Sequence, residues 1–234
     1  MGGVALICAA TVLPAQAFTI DTRPGNGLIG AFMGEYDPYR GNTVGQTFIA
    51  TNDNILNEFS FVLGNTGVPG GVDLGNVNFR AFVAAFDNTT NTIAGSILFE
   101  SETKSTQISD NLENFSFEGL SLALTPGQEY VVFLSTLKDL DGIVDIVSVP
   151  SASNFTDGYE DGGGRIVQSG ATSFSDLLTS PFSTDNAKGG DMVWTASFSS
   201  SSAVPEPTTI LGTLAFGSLG AGSWLKRPQK GEKA

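Results

Sequence analysis

Val77-Asn78-Phe79-Arg80-Ala81-Phe82-Val83-Ala84-Ala85-Phe86 is the stretch on which the fold turns. Taken two residues at a time, Val77, Phe79, Ala81, Val83 and Ala85 form a wholly apolar face, while Asn78 and Arg80 share the other with Phe82 and Phe86. Successive side chains of a β-strand point to opposite faces of its sheet, whereas a helix would repeat its apolar positions about every 3.6 residues. The segment therefore reads as a strand with one face in a core and a second face that is only partly wet.

The same alternation, bounded by turn residues, predicts strands at Gln46 to Ala50, Ile55 to Leu63, Ser96 to Ser101, Asn114 to Glu118, Glu129 to Ser135, Arg165 to Gln168 and Met192 to Phe198. Pro126-Gly127 suits the centre of a type II turn, and Val68-Pro69-Gly70-Gly71 forms another loop. Only Phe174 to Leu178 reads, weakly, as helix, and no internal repeat is present. With 41% hydrophobic and 15% charged residues the 234-residue chain can build a core and is too apolar for wholesale disorder. Eight strands suit two packed sheets, so the expected fold is an all-β sandwich.

There is no histidine, which removes Ser-His-Asp triads, Cys-His dyads, His-ligated zinc and His-based proton shuttling. Carboxylates remain as the abundant titratable groups. A glycosidase pair could be found by chance among so many acids, and no segment isolates an acid in an apolar surround that would raise its pKa, so the chain is expected not to be an enzyme.

The two ends of the chain are more explicit. Val4 to Leu13 is apolar and leads into Pro14-Ala15-Gln16-Ala17, with small residues Ala15 and Ala17 where a secretory peptidase reads them; residues 1–17 are expected to be a signal peptide cut after Ala17. No Lys or Arg occurs in this segment, which leaves room for a true start upstream of Met1. The single cysteine, Cys8, lies within it, so the exported product would hold neither thiol nor disulfide. At the other end the serine run Ser199 to Ser202 precedes Val204-Pro205-Glu206-Pro207. Next come 18 uncharged residues, Thr208 to Leu225, and then Lys226-Arg227-Pro228-Gln229-Lys230. At 1.5 Å per residue the uncharged stretch spans about 27 Å as a helix, enough to cross a ~30 Å hydrocarbon core, and basic Lys226, Arg227 and Lys230 fit a cytoplasmic end.

Pro205-Glu206-Pro207, the span directly after it and the short basic tail resemble the PEP-CTERM sorting signal of exported bacterial proteins, over about the last thirty residues. The resemblance implies that an exosortase, a membrane-embedded processing enzyme, recognises Pro205, Glu206 and Pro207. It also implies a cell-envelope or extracellular-matrix destination in company with exopolysaccharide. On this reading residues 1–17 are signal peptide, 18–203 a β-sandwich ectodomain and 204–234 the sorting signal, membrane-anchored as precursor.

Leu120-Ser121-Leu122-Ala123-Leu124-Thr125-Pro126-Gly127-Gln128-Glu129-Tyr130 resembles a stretch recurring in jelly-roll modules, including carbohydrate-binding ones. Gly45-Gln46-Thr47-Phe48 and Asp191-Met192-Val193-Trp194-Thr195-Ala196-Ser197-Phe198 extend the likeness to ectodomains that carry the same sorting signal. This implies a two-sheet jelly-roll-like architecture and no particular chemistry.

All of the 24 acidic residues except Glu206 and Glu232 fall in the expected ectodomain, against seven basic ones, which excludes nucleic acid as a partner. Asp139, Asp141 and Asp145 lie close in sequence, as do Asp157, Glu160 and Asp161; such loops either attract a hard cation, as the structural calcium of jelly-roll relatives would imply, or are simply solvated. Tyr36, Tyr39, Arg40 and Tyr159 sit in turn-like segments. They are candidate glycan contacts, offering aromatic faces and planar donors, or else ordinary loop residues, while Trp194 on an alternating strand reads as core. Two functions stay open: a non-catalytic surface or matrix protein, and a carbohydrate-binding module for the cell's own polysaccharide.

Overall fold

The computed structural model describes residues 18–23, 28–35, 41–64, 76–107, 112–151, 166–183 and 191–200. The chain divides into two compact units, Met1–Ser200 and Ser201–Ala234, and all described residues lie in the first. Its strands are β1 (Phe18–Asp21), β2 (Leu28–Gly34), β3 (Thr43–Ile49), β4 (Ile55–Leu63), β5 (Asn78–Asp87), β6 (Thr92–Glu100), β7 (Lys104–Ser105), β8 (Glu113–Phe117), β9 (Leu122–Ala123), β10 (Glu129–Ser135), β11 (Ile146–Ser151), β12 (Ile166–Ser169) and β13 (Trp194–Ser199). One short helix, α1 (Phe174–Leu177), stands between the last two. Among the described residues no helix is long and apolar enough to cross a membrane; the expected span, Thr208 to Leu225, lies outside them.

All eight expected strands are present, with ends moved by a few residues, and five more join them. The additional strands β1, β7 and β9 are too short to display a period. Gly30 interrupts β2, and Pro150, which cannot donate to a ladder, sits in β11 at an irregularity in its pairing with β2.

The pairings are antiparallel throughout, in a sheet ordered β1-β13-β4-β8 with β9 also on β4, and a second ordered β12-β3-β10-β5-β6 with β7 also on β5. The two-stranded ribbon β2–β11 is tied to the first sheet by bridges from Ser148 to Gly64 and from Ser151 to Met192.

The core between the sheets takes Phe59, Phe61, Leu63, Trp194, Ala196 and Phe198 from one side and Val44, Phe48, Phe79, Ala81, Val83, Val132 and Leu134 from the other. Trp194 is 1% exposed, with Phe61 stacked at 6.1 Å and Phe48 at 5.9 Å between ring centroids. A second apolar cluster covers the opposite face of the β3-β10-β5 sheet. There Phe82, Phe86, Val131, Phe133 and Val167 meet Leu137, Ala171, Leu177 and Phe182. This explains why β10 is buried along nearly its whole length: a strand covered on both faces reads as a continuous apolar run.

The helix that closes the second cluster is capped by Ser173, whose hydroxyl accepts the Asp176 N–H at 3.1 Å. Its own Leu177 is fully buried, worth ~1.5–3 kcal/mol, and the Phe174 ring centre lies 4.8 Å from that of Phe82. Gly45 is required by close approach. A Cβ there would meet the Phe133 Cβ and the Val132 carbonyl oxygen at 2.7 Å.

The Pro126-Gly127 turn has its expected geometry. The Gln128 N–H donates to the Thr125 carbonyl at 3.2 Å, and Gly127 takes φ +78°, as the third position of a type II turn demands. Tyr130 fastens the turn, its hydroxyl accepting the Thr125 N–H at 2.8 Å and donating to Gln128 at 3.2 Å, with its ring stacked on Phe48 at 5.9 Å.

Candidate functional site

The two segments singled out at opposite ends of the ectodomain meet in the core. Gln46 lies on the inward register of β3, and its side-chain amide donates to Asp191 Oδ1 at 2.6 Å while its carbonyl oxygen accepts the Met192 N–H at 2.8 Å. Thr22, just after β1, completes the grip: its hydroxyl donates to the Met192 carbonyl at 2.7 Å and accepts the Trp194 N–H at 2.9 Å. Gln46, Asp191 and Thr22 are all buried. Hydrogen bonds of this kind, one of them to a carboxylate, set where β13 begins and hold Trp194 in register. The sequence signal was a lone acid directly before an apolar strand, together with an amide at an inward position of another. Neither has a distinctive spacing.

A second polar cluster lies where β5, β6 and the chain after β10 come together. Arg80 pairs with Asp139 at 3.1 Å and with Glu100 at 2.9 Å, Lys138 reaches Glu100 at 2.6 Å, and Thr103 donates to Asp139 at 2.7 Å. The Lys138 ammonium beside Glu100, and after it the Arg80 guanidinium, hold the Glu100 carboxyl below its usual range. Lys138 also lies 4.3 Å from the centre of the Phe174 ring, so the network ties the sheet to α1.

Of the expected metal ligands, Asp139 is thus engaged by Arg80 and Thr103. Asp141 accepts the Ile143 N–H at 2.9 Å and an Asn78 amide hydrogen at 3.4 Å, and Asp145 is buried. Among the described residues no three acidic side chains gather into a group able to hold a metal ion. Glu35 adds a clasp that spacing did not foretell: its carboxylate accepts the backbone N–H groups of Asp141 at 2.7 Å and Gly142 at 3.2 Å, and its own N–H donates to the Asp145 carbonyl at 3.0 Å. The Gly34 N–H donates to the Gly41 carbonyl at 3.0 Å, so the chain before Tyr36 and after Arg40 is anchored beside this acidic loop. Leu140, Ile143 and Val144 are exposed on it.

Tyr36, Tyr39, Arg40 and Tyr159 lie outside the described residues. So do Ala15 and Ala17, the sorting tripeptide Pro205, Glu206 and Pro207, and the basic residues Lys226, Arg227 and Lys230.

The outer face of the first sheet carries hydroxyls and amides beside the carboxylates Asp21 and Glu58 and apolar Val62. Opposite the inward Trp194, Ala196 and Phe198 stand Thr195, Ser197 and Ser199 of β13. Thr195 bonds Ser60 at 2.7 Å, Ser199 accepts from Asn57 at 3.1 Å, and Asn114 donates to Ser116 at 3.1 Å.

No family profile and no curated protein matches this sequence. Among solved structures the chain is similar to the clostridial cysteine protease Cwp84 after propeptide cleavage, at 13% identity and a TM-score of 0.46, covering 79% of this chain and 40% of that one. It is similar also to the cysteine protease and lectin-like domains of Cwp84, a surface layer associated protein of Clostridium difficile, at 13% identity and a TM-score of 0.42, covering 68% of this chain and 32% of that one. The chain thus spans well under half the length of either match. Likenesses of this degree transfer neither fold nor activity. A cysteine–histidine pair cannot be assembled from this sequence, which holds no histidine.

Proposed function

We propose that the protein is an exported, exosortase-processed cell-surface or extracellular-matrix protein, with a non-catalytic, jelly-roll-like sandwich associated with exopolysaccharide. The observation that carries the reading is Pro205-Glu206-Pro207 set between a serine linker and an uncharged stretch of spanning length that ends in Lys226-Arg227. Strand orders in which sequence-distant neighbours pair, β1 with β13 and β3 with β10, support the jelly-roll-like part. The non-catalytic part is supported by the lack of histidine and by the use of Arg80, Glu100, Lys138 and Asp139 in binding one another.

Before processing, the precursor is held in the membrane by residues 208–225, and the exosortase is its partner there. Proline disfavours helix at the residue before it, which on this reading suits Glu206, ahead of Pro207, to recognition by the processing enzyme. Replacing Glu206 by Ala leaves export and folding intact and makes a full-length, membrane-bound form accumulate, as blotting of membrane and medium fractions would read. Normal processing of Glu206→Ala in a host with the exosortase would overturn the sorting assignment.

A second reading, a module that binds the cell's own polysaccharide, is favoured by the outer face of Thr195, Ser197, Ser199, Asn114 and Ser116, whose hydroxyls and amide are of the kind that pairs with sugar hydroxyls. Affinity gels cast with the producing organism's exopolysaccharide separate the two, since only the binding module is retarded and released by competing sugar.

A further inference from the structure

We infer that β13 is the strand that carries tension in this domain, gripped at its start so that a pull on the chain beyond Ser199 is met in shear when the load enters from the opposite end of the sandwich. The inference rests on the reading above, in which that chain runs on to a C-terminal anchor. β13 lies inside its sheet, with β1 along one side and β4 along the other. The chain therefore leaves the sandwich from an inner strand, and a pull along that strand loads two ladders at once.

The grip sits at the far end of β13 from this exit. Gln46 of β3 holds Asp191 and the Met192 N–H, and Thr22 holds the Met192 carbonyl and the Trp194 N–H. Between them the Val193 N–H donates to the Pro150 carbonyl of β11, and its carbonyl accepts the Val62 N–H of β4, both at 3.0 Å. Partners from four parts of the fold thus converge on consecutive residues. Trp194 follows as a bulky stop, since β13 can slide toward its C-terminus only by drawing that ring past Phe48 and Phe61.

Hydrogen bonds loaded side by side must give way together, whereas bonds loaded from one end give way in turn; the barrier to forced unfolding is higher in the first case. The point where load enters decides between them. Ser199 pairs with Ile55, and the Leu124 N–H donates to the Asn54 carbonyl at 2.8 Å, so exposed Thr125 lies at the exit end. The other end is marked by Gly64, just after β4, bridged to Ser148 of β11; exposed Ile143 lies three residues before β11 begins. Load entering at Ile143 shears β13 along its length. Load entering at Thr125 peels it from Ser199 inward.

Single-molecule pulling on the full chain in detergent tests this, with Cys8→Ser removing the native thiol, one handle at the C-terminus and the other on Ile143→Cys or Thr125→Cys. At equal loading rates the Ile143→Cys protein ruptures at ~2-fold higher force than the Thr125→Cys protein. Adding Thr22→Ala lowers the force from Ile143 and leaves that from Thr125 unchanged, because peeling passes its peak before the grip is reached; Thr22→Ser, which keeps the hydroxyl, restores the higher force. Equal forces from the two handles would overturn the inference. A Thr22→Ala effect of the same size in both geometries would make Thr22 a general stabiliser and overturn the grip. Neither readout requires the exosortase or an anchor, so these failures are distinct from failure of the sorting reading, which Glu206→Ala tests.

Discussion

The two sheets treat their outer faces in opposite ways. In the sheet β1-β13-β4-β8 the outward residues are mostly polar, Thr195, Ser197, Ser199 and Asn114 among them beside Asp21, Glu58 and Val62, and Thr195–Ser60 and Ser199–Asn57 bond across strands. In the sheet β12-β3-β10-β5-β6 the outward residues include Phe82, Phe86, Val131 and Phe133, sealed by Leu177 and Phe182 from later in the chain. One sheet thus has a single core face and the other has two. The difference is visible along the strands: β13 alternates strictly between buried and half-buried residues, whereas β10 hides almost every side chain. A one-faced sheet tolerates change on its wet side. A two-faced one has no neutral side.

That contrast can be broken most forcefully at Gly45. Its missing Cβ lets Phe133 pass at the centre of the two-faced sheet, so Gly45→Val should cost at least ~4 kcal/mol and abolish a cooperative melt. A stable Gly45→Val protein would mean that the sheet can part there, and that the second cluster is not a true core.

A matched pair sharpens the point. Leu177→Ala, on the buried side of α1, should lower stability by ~2–4 kcal/mol in urea unfolding, because it empties a fully enclosed site. Ser197→Ala, on the wet side of β13, should stay within ~0.5 kcal/mol. Equal effects would erase the distinction between the faces.

The smallest effect is electrostatic. Lys138 and Arg80 depress the pKa of Glu100 below its usual 4.5, so its contribution is fully present above that value and is lost as pH falls through the lower, folded-state pKa. The network is partly solvated, and ~0.5 kcal/mol is at stake. Stability curves of parent and Glu100→Gln should differ above about pH 4.5 and converge in more acid solution. A constant offset at all pH would mean that the carboxylate's charge is irrelevant to how the second face is held.

Much of this was legible in the chain itself. Alternation marked β13 strictly and β4 more loosely, the Pro126-Gly127 pair marked its turn, and Phe174 to Leu178 marked α1, because each depends on residues within a few positions of one another. The half-apolar second face of Val77 to Phe86 already asked for a partial cover. Gly30 and Pro150 disguised β2 and β11, whose pairing rests on a partner more than a hundred residues away.

The sequence by itself determined that residues 18–200 make strands far more than helix among those described, and that histidine chemistry is absent. These are properties of composition and of short windows, set by backbone sterics and hydrophobic period. Only the tertiary structure decided that α1 covers Phe82 and Phe133, that Gln46 reaches Asp191 145 positions along the chain, and that Thr22 closes on Trp194 172 positions away. Such contacts form where topology brings distant backbone together, and a buried amide or carboxylate finds its partner by proximity in space, which no local period encodes.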